Sequence, residues 1–187
     1  MFKFITKILK KYFLKDDDIM DIIENQLKIK LHHRYKIYYV DEYPEEILSS
    51  QREFQNMQGL EDEIPTAITI PYEHVDEDGL MGFMVFNIKS IRDCLQDFGF
   101  FRSRIIIKEI TLHEIRHCDQ FEFLRLMGGS ELINKVCEDQ KDLPYIENLL
   151  EIDAYNYQFN YGDRKKVQPL DVVFAQYISV GNDKDKK

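Results

Sequence analysis

Cysteine is scarce in this chain. Cys94, Cys118 and Cys137 form an odd, widely spaced set with no C-x-x-C pair. That excludes a disulfide framework and a thiolate metal site, and it points to a reducing, cytoplasmic setting. No run of 18 apolar residues is present, so no membrane-spanning helix is expected. The N-terminal MFKFITKILKKYFLK has lysines interrupting its apolar residues and no small-residue cleavage site, unlike a signal peptide. Excess basic charge is missing too: 25 Lys and Arg stand against 34 Asp and Glu, for a net charge of −9. No domain-wide basic field exists to release counterions, so nucleic acid is not an expected partner. Internal repeats are absent, as are low-complexity blocks ahead of the C-terminal tail.

What is present suits one globular domain. The 187 residues are 44% hydrophobic and 32% charged, enough to bury a core without staples. Three parts are expected: a basic amphipathic segment over 1–15, a domain over 16–180, and a disordered charged tail over 181–187. In the first part Phe2, Ile5, Leu9, Tyr12 and Phe13 share a helix face, with the lysines mostly elsewhere. Such a face packs on its own domain; the alternative is weak docking on an anionic membrane surface or a partner protein.

The spacing then predicts a helix over about 19–32, capped by Asp16, Asp17 and Asp18. Strands follow over 35–40 (YKIYYV), 66–70 (TAITI, ended by Pro71) and 80–88 (LMGFMVFNI), with Gly82 marking a bulge or a close backbone approach. Pro44 opens a short helix with Glu45 and Glu46 in its first turn. From about Ser103 to Met127, Ile106, Ile110, His113, His117, Phe121 and Leu124 recur at helical spacing, until Gly128 and Gly129 stop the helix and Ser130 caps the next. Pro144 opens a further helix bearing Glu147, Glu151, Ala154, Tyr155 and Gln158 on one side. Leu170 to Ile178 reads as a terminal helix. The fold class is α+β, a small twisted antiparallel or mixed sheet packed on helices.

The chemistry sits in TLHEIRHCDQ, residues 111–120. Residues four apart on a helix share a face one turn apart, so His113 and His117 can point their imidazoles at one ion. Glu114 is rotated about 100° from His113. From there it can reach a water activated by the ion and take its proton without ligating the ion. Two histidines leave zinc short of a protein ligand. The candidate third is Glu151, 151 − 117 = 34 residues beyond His117. Glu147 and Asp153 compete with it. His32 and His33 are adjacent and diverge on a helix, so they read as surface residues. His74 reads as part of a solvated acidic loop, and Cys118 as a buried small hydrophobe.

HEIRH followed by E-I-D-A resembles the gluzincin branch of zinc metallopeptidases, nearest in style to the small ImmA/IrrE-type peptidases. About a dozen residues carry the likeness, and in architecture it covers roughly 19–160. It implies a zincin-like fold, with the HExxH helix followed by a glutamate-bearing helix. It also implies hydrolysis of a peptide or protein substrate by a metal-activated water. Zn2+ would be held by His113, His117 and Glu151, with Glu114 as general base. Such enzymes lay the substrate along an edge strand, for which residues 80–88 are the candidate. This chain departs from the pattern at Arg116 and Asp119, which are charged. It also departs at Tyr155, where many gluzincins place an aspartate that orients a histidine. Tyr155 is a candidate for steadying the oxyanion, with Tyr157 and Tyr161 as rivals and a packed core role as the plain reading. The alternative is a catalytically silent zincin-fold binding or regulatory protein with a structural zinc. In style the chain also resembles small proteins of phages or mobile elements in AT-rich bacteria.

Overall fold

The computed structural model describes residues 14–30, 34–45, 47, 64–141, 143–144, 146–163 and 165–178. The expected N-terminal amphipathic segment up to residue 13, His32, His33, Glu46 and the tail over 181–187 lie outside the described residues.

Helix α1 is Asp16–Lys30. It starts three residues earlier than its apolar pattern predicts. The aspartates form its first turn rather than preceding it, where they favour the positive end of the helix dipole. Asp18 reaches back to accept the Lys15 backbone N–H at 2.9 Å. Ile19, Ile22, Ile23 and Leu27 recur along one face and are buried.

Among the described residues the sheet has three strands, β1 (Tyr35–Val40), β2 (Ala67–Pro71) and β3 (Gly82–Asn87), in the order β1-β3-β2. β1 runs parallel to β3, and β2 runs antiparallel to it. The fold is therefore mixed α+β on a small mixed sheet. Residues 80–88 do not supply an edge strand, which corrects that expectation: β3 is central, and among the described residues β2 and β1 are the edges. The reason lies in its composition. Met84 and Phe86 face one apolar cluster and Phe83 and Val85 another, so both faces of β3 are covered. Gly82 is a site of close approach. A Cβ there would stand 2.3 Å from the Ile70 carbonyl oxygen and 2.8 Å from the Tyr35 ring.

Helix α2 (Ile88–Cys94) follows β3 directly, and the sequence reading misses it. Its signal is local: the Asn87 side chain accepts the Ser90 N–H at 2.8 Å, an N-cap.

Helix α3 (Phe100–Gln140) breaks at Gly128 and Gly129, as the double glycine predicts. Gly129 has φ 68° and ψ −162°, a region nearly closed to other residues. The helix α4 (Leu149–Asn160) begins five residues later than Pro144. Pro144 instead starts a turn, its carbonyl accepting the N–H groups of Glu147 and Asn148. Asn148 is the true cap, accepting from Leu150 and Glu151. Residues 170–178 form two short turns, α5 (Leu170–Val173) and α6 (Ala175–Ile178), interrupted at the fully buried Phe174.

The core divides around α3. Ile107, Leu112, Ile115 and Cys118 pack with α1, β3 and α2. Phe121, Leu124, Ile133 and Val136 pack with Leu150, Phe174 and Tyr177. The HEIRH turn lies where these two cores meet, with α4 against it.

Candidate metal centre

His113 and His117 are one helical turn apart, and both rings point towards α4. Their Nε2 atoms are 3.0 Å apart. Glu151, in the first turn of α4, sends its carboxylate into the same point. Its Oε2 is 3.1 Å from His113 Nε2, and its Oε1 is 3.6 Å from His117 Nε2. Four-coordinate zinc with ligands at about 2.0–2.1 Å needs donors roughly 3.3 Å apart, so these separations fit a bound ion. All three side chains are largely buried, at 12%, 10% and 16% exposure. Among the described residues this is the one cluster of three such groups able to hold a metal ion.

The competing carboxylates are placed elsewhere. Glu147 is exposed and precedes α4. Asp153 is buried and takes two hydrogen bonds from Arg116, Nε to Oδ2 at 2.7 Å and Nη2 to Oδ1 at 3.0 Å. Arg116, charged where the gluzincin pattern prefers an uncharged residue, is thus the partner of Asp153. Its guanidinium also donates to the Gln168 carbonyl and lies 5.0 Å over the Tyr157 ring.

Glu114 is 4% exposed and turned away from Glu151 towards β2, where the Thr69 hydroxyl donates to its Oε2 at 2.7 Å. Strand alternation explains the contact. Ile68 and Ile70 face the far side of the sheet, so Thr69 faces α3. Sequence reasoning misses Thr69; a threonine in TAITI reads only as a strand former. Farther along, Arg125 donates to the carbonyls of Tyr72 and Glu73 and ties the end of β2 to α3.

Of the three tyrosines weighed, Tyr155 alone is brought to the site. It is partly exposed, and its ring sits edge-on to His113 with centroids 4.9 Å apart. Tyr157 is buried beneath Arg116 and packs against Tyr161. Cys118 is fully buried, and burial raises its thiol pKa well above the usual value, in keeping with a packing role. His74 lies in an exposed loop.

The electrostatics are those of a histidine–carboxylate pair. Burial alone would lower the His117 pKa. The Glu151 carboxylate, its hydrogen bond and the nearby Glu114 charge outweigh that and push it up to about 9. Burial likewise favours neutral Glu151, but the His117 charge and hydrogen bonds from both imidazoles hold it well below the usual carboxylate range. In the metal-free protein the His117 contribution to stability is full below about pH 6.5 and lost as pH rises through about 9. The Glu151 contribution is present above about pH 4.5 and lost on acidification. An entering metal ion must displace the His117 proton. Calorimetric titration with zinc at pH 7, in buffers of different ionisation enthalpy, is therefore expected to record release of about one proton, declining towards none near pH 10. Constant release across that range would mean His117 is not a ligand.

No helix among the described residues is long and apolar enough to cross a membrane. Searches against protein-family models, curated proteins and solved structures return no match to this chain, so the geometry of the site stands on its own.

Proposed function

We propose that this protein is a zinc-dependent metallopeptidase with a zincin-like arrangement of strand, HExxH helix and glutamate helix. The observation that carries the reading is the convergence of His113, His117 and Glu151 on one point, with Glu114 adjacent and engaged by β2. Two imidazoles and one carboxylate with a fourth position open are the donor set of a hydrolytic zinc site. A zinc ion held there supplies Lewis acidity to a water molecule and to the substrate carbonyl.

The remaining steps belong to the chain. Glu114 accepts the proton of the attacking water and passes it to the departing amine. Thr69 orients Glu114 for both transfers. The substrate backbone lies along β2, the edge strand next to the HExxH turn, in place of the central residues 80–88. That strand leads to a cavity of about 310 Å³ lined by Pro71, Tyr72, Glu73, Ser130, Ile133 and Asn134. On the α4 side, Ile152, Tyr155 and Phe159 leave apolar surface exposed for a substrate side chain. Tyr155 is the candidate to steady the oxyanion.

One observation favours a second reading, a silent zincin-fold binding or regulatory protein with a structural zinc. Glu114 is nearly fully buried and already bound by Thr69, as a structural carboxylate would be. Metal analysis joined to cleavage of a peptide library separates the two. The enzyme reading expects about one zinc per chain, lost in His113→Ala, and cleavage abolished by chelation and restored by zinc. A fully loaded protein that cuts nothing in the library would transfer the conclusion to the second reading. A chain that takes up no metal would end both.

A further inference from the structure

Gln120 is fully buried, in the same helix as the metal-site histidines and one turn beyond His117. A buried primary amide is costly unless its donors and acceptor are met. Here they are met in a way that admits one orientation. Nε2 donates to the Leu150 carbonyl at 2.9 Å and to Asp153 Oδ2 at 2.8 Å. Neither partner can donate in return. The first is a backbone carbonyl. The second is a carboxylate whose two oxygens are held by Arg116. Turning the amide over would set its oxygen against two acceptors and forfeit both bonds.

With Nε2 committed, Oε1 faces His117 Nδ1 at 2.9 Å. An amide oxygen only accepts, so Nδ1 must carry hydrogen. In the neutral ring the lone pair is then on Nε2, the atom that meets His113 Nε2 and Glu151. We propose that Gln120 is a positioning residue that fixes His117 in its Nδ1–H form and so aims the Nε2 lone pair at the metal position. The fixed end of the relay is the Arg116–Asp153 pair, and the order runs Arg116, Asp153, Gln120, His117.

The relay accounts for one departure in the motif region, the charged Arg116. Arg116 and Asp153 do not touch the metal position; they hold the amide that does the orienting. A neutral amide is suited to this place because a carboxylate at 120 would confront Asp153 and the Leu150 carbonyl. The amide also orients the ring without adding a second negative charge beside Glu151. The inference rests on the reading that His117 is a metal ligand, but the ring form can be tested without the metal.

Long-range 1H–15N spectra of His117 in the metal-free protein, at a pH high enough to neutralise the ring, are expected to show a protonated Nδ1 and a bare Nε2. Zinc affinity, measured by competition with a chromophoric chelator, is expected to fall about 10–100-fold in Gln120→Leu, the range for loss of a group that orients a ligand. The same variant is expected to lose the Nδ1–H preference while circular dichroism stays native. A wild-type His117 carrying its proton on Nε2 would overturn the proposal even if Gln120→Leu failed to fold. Zinc binding by folded Gln120→Leu within twofold of wild type would overturn it as well. If wild type takes up no zinc, the metallopeptidase reading fails, and the nitrogen spectra alone decide the role of Gln120.

Discussion

Glu114→Gln is expected to lower kcat/KM on any cleaved peptide by roughly 10²–10⁴-fold, the usual contribution of a positioned acid–base group. Zinc content is expected to stay at wild-type level. The separation of these two effects follows from where Glu114 sits. Its carboxylate is on the β2 side of α3, bound by Thr69, and is not among the three side chains that converge near α4. Glutamine has the same shape, and its carbonyl oxygen can still accept from the Thr69 hydroxyl, so fold and ligand set are preserved. What it cannot do is hold the proton that the proposed mechanism moves from the attacking water to the leaving amine. The measurement is steady-state kinetics on a peptide found in the library cleavage, with metal content by plasma mass spectrometry on the same sample. Activity within tenfold of wild type would place the proton transfer on another group.

Asp153→Ala is expected to destabilise the folded protein by about 3–5 kcal/mol, because removing one member of a buried ion pair strands the other. Arg116 and Asp153 have side-chain exposures of only 7% and 5%. Without the carboxylate, Arg116 keeps the Gln168 carbonyl and the face of Tyr157, and Gln120 keeps the Leu150 carbonyl. Neither restores the lost charge. A loss of this size is a large part of the 5–15 kcal/mol by which a typical domain is stable. Urea unfolding of the metal-free chain measures it directly. A change below about 1 kcal/mol would mean that water or a shifted side chain reaches Arg116 in the variant. Asp153 and Arg116 are thus expected to matter first for the junction of α3 and α4, and through it for His117.

Some of this was legible before any fold was known, and the physical reason is locality. His113 and His117 share a face because a helix repeats every 3.6 residues. The strand YKIYYV, the break at Gly128 and Gly129 and the burial of Cys118 follow from preferences that act within a few residues. Glu151 is intermediate. Its spacing from His117 made it the candidate third ligand, but Glu147 and Asp153 stayed in competition until the fold set Glu151 beside the histidines and Asp153 on Arg116. The start of α4 was misread because proline is a common opener. The competing device was an asparagine cap four residues later, itself bonded to the Gln140 carbonyl at 3.4 Å across the preceding turn.

What the chain determined by itself was the histidine pair, its neighbouring glutamate and the mixture of strands and helices that frames them. What only tertiary structure decided was every pairing between distant segments: β3 between β1 and β2, Thr69 on Glu114, Glu151 against both imidazoles, and Arg116 on Asp153. Strand order depends on which apolar faces can be covered from both sides, and a buried ion pair depends on two helices meeting in one register. Those are properties of the packed whole, and residues as far apart as Tyr35 and Gly82 carry no local trace of them.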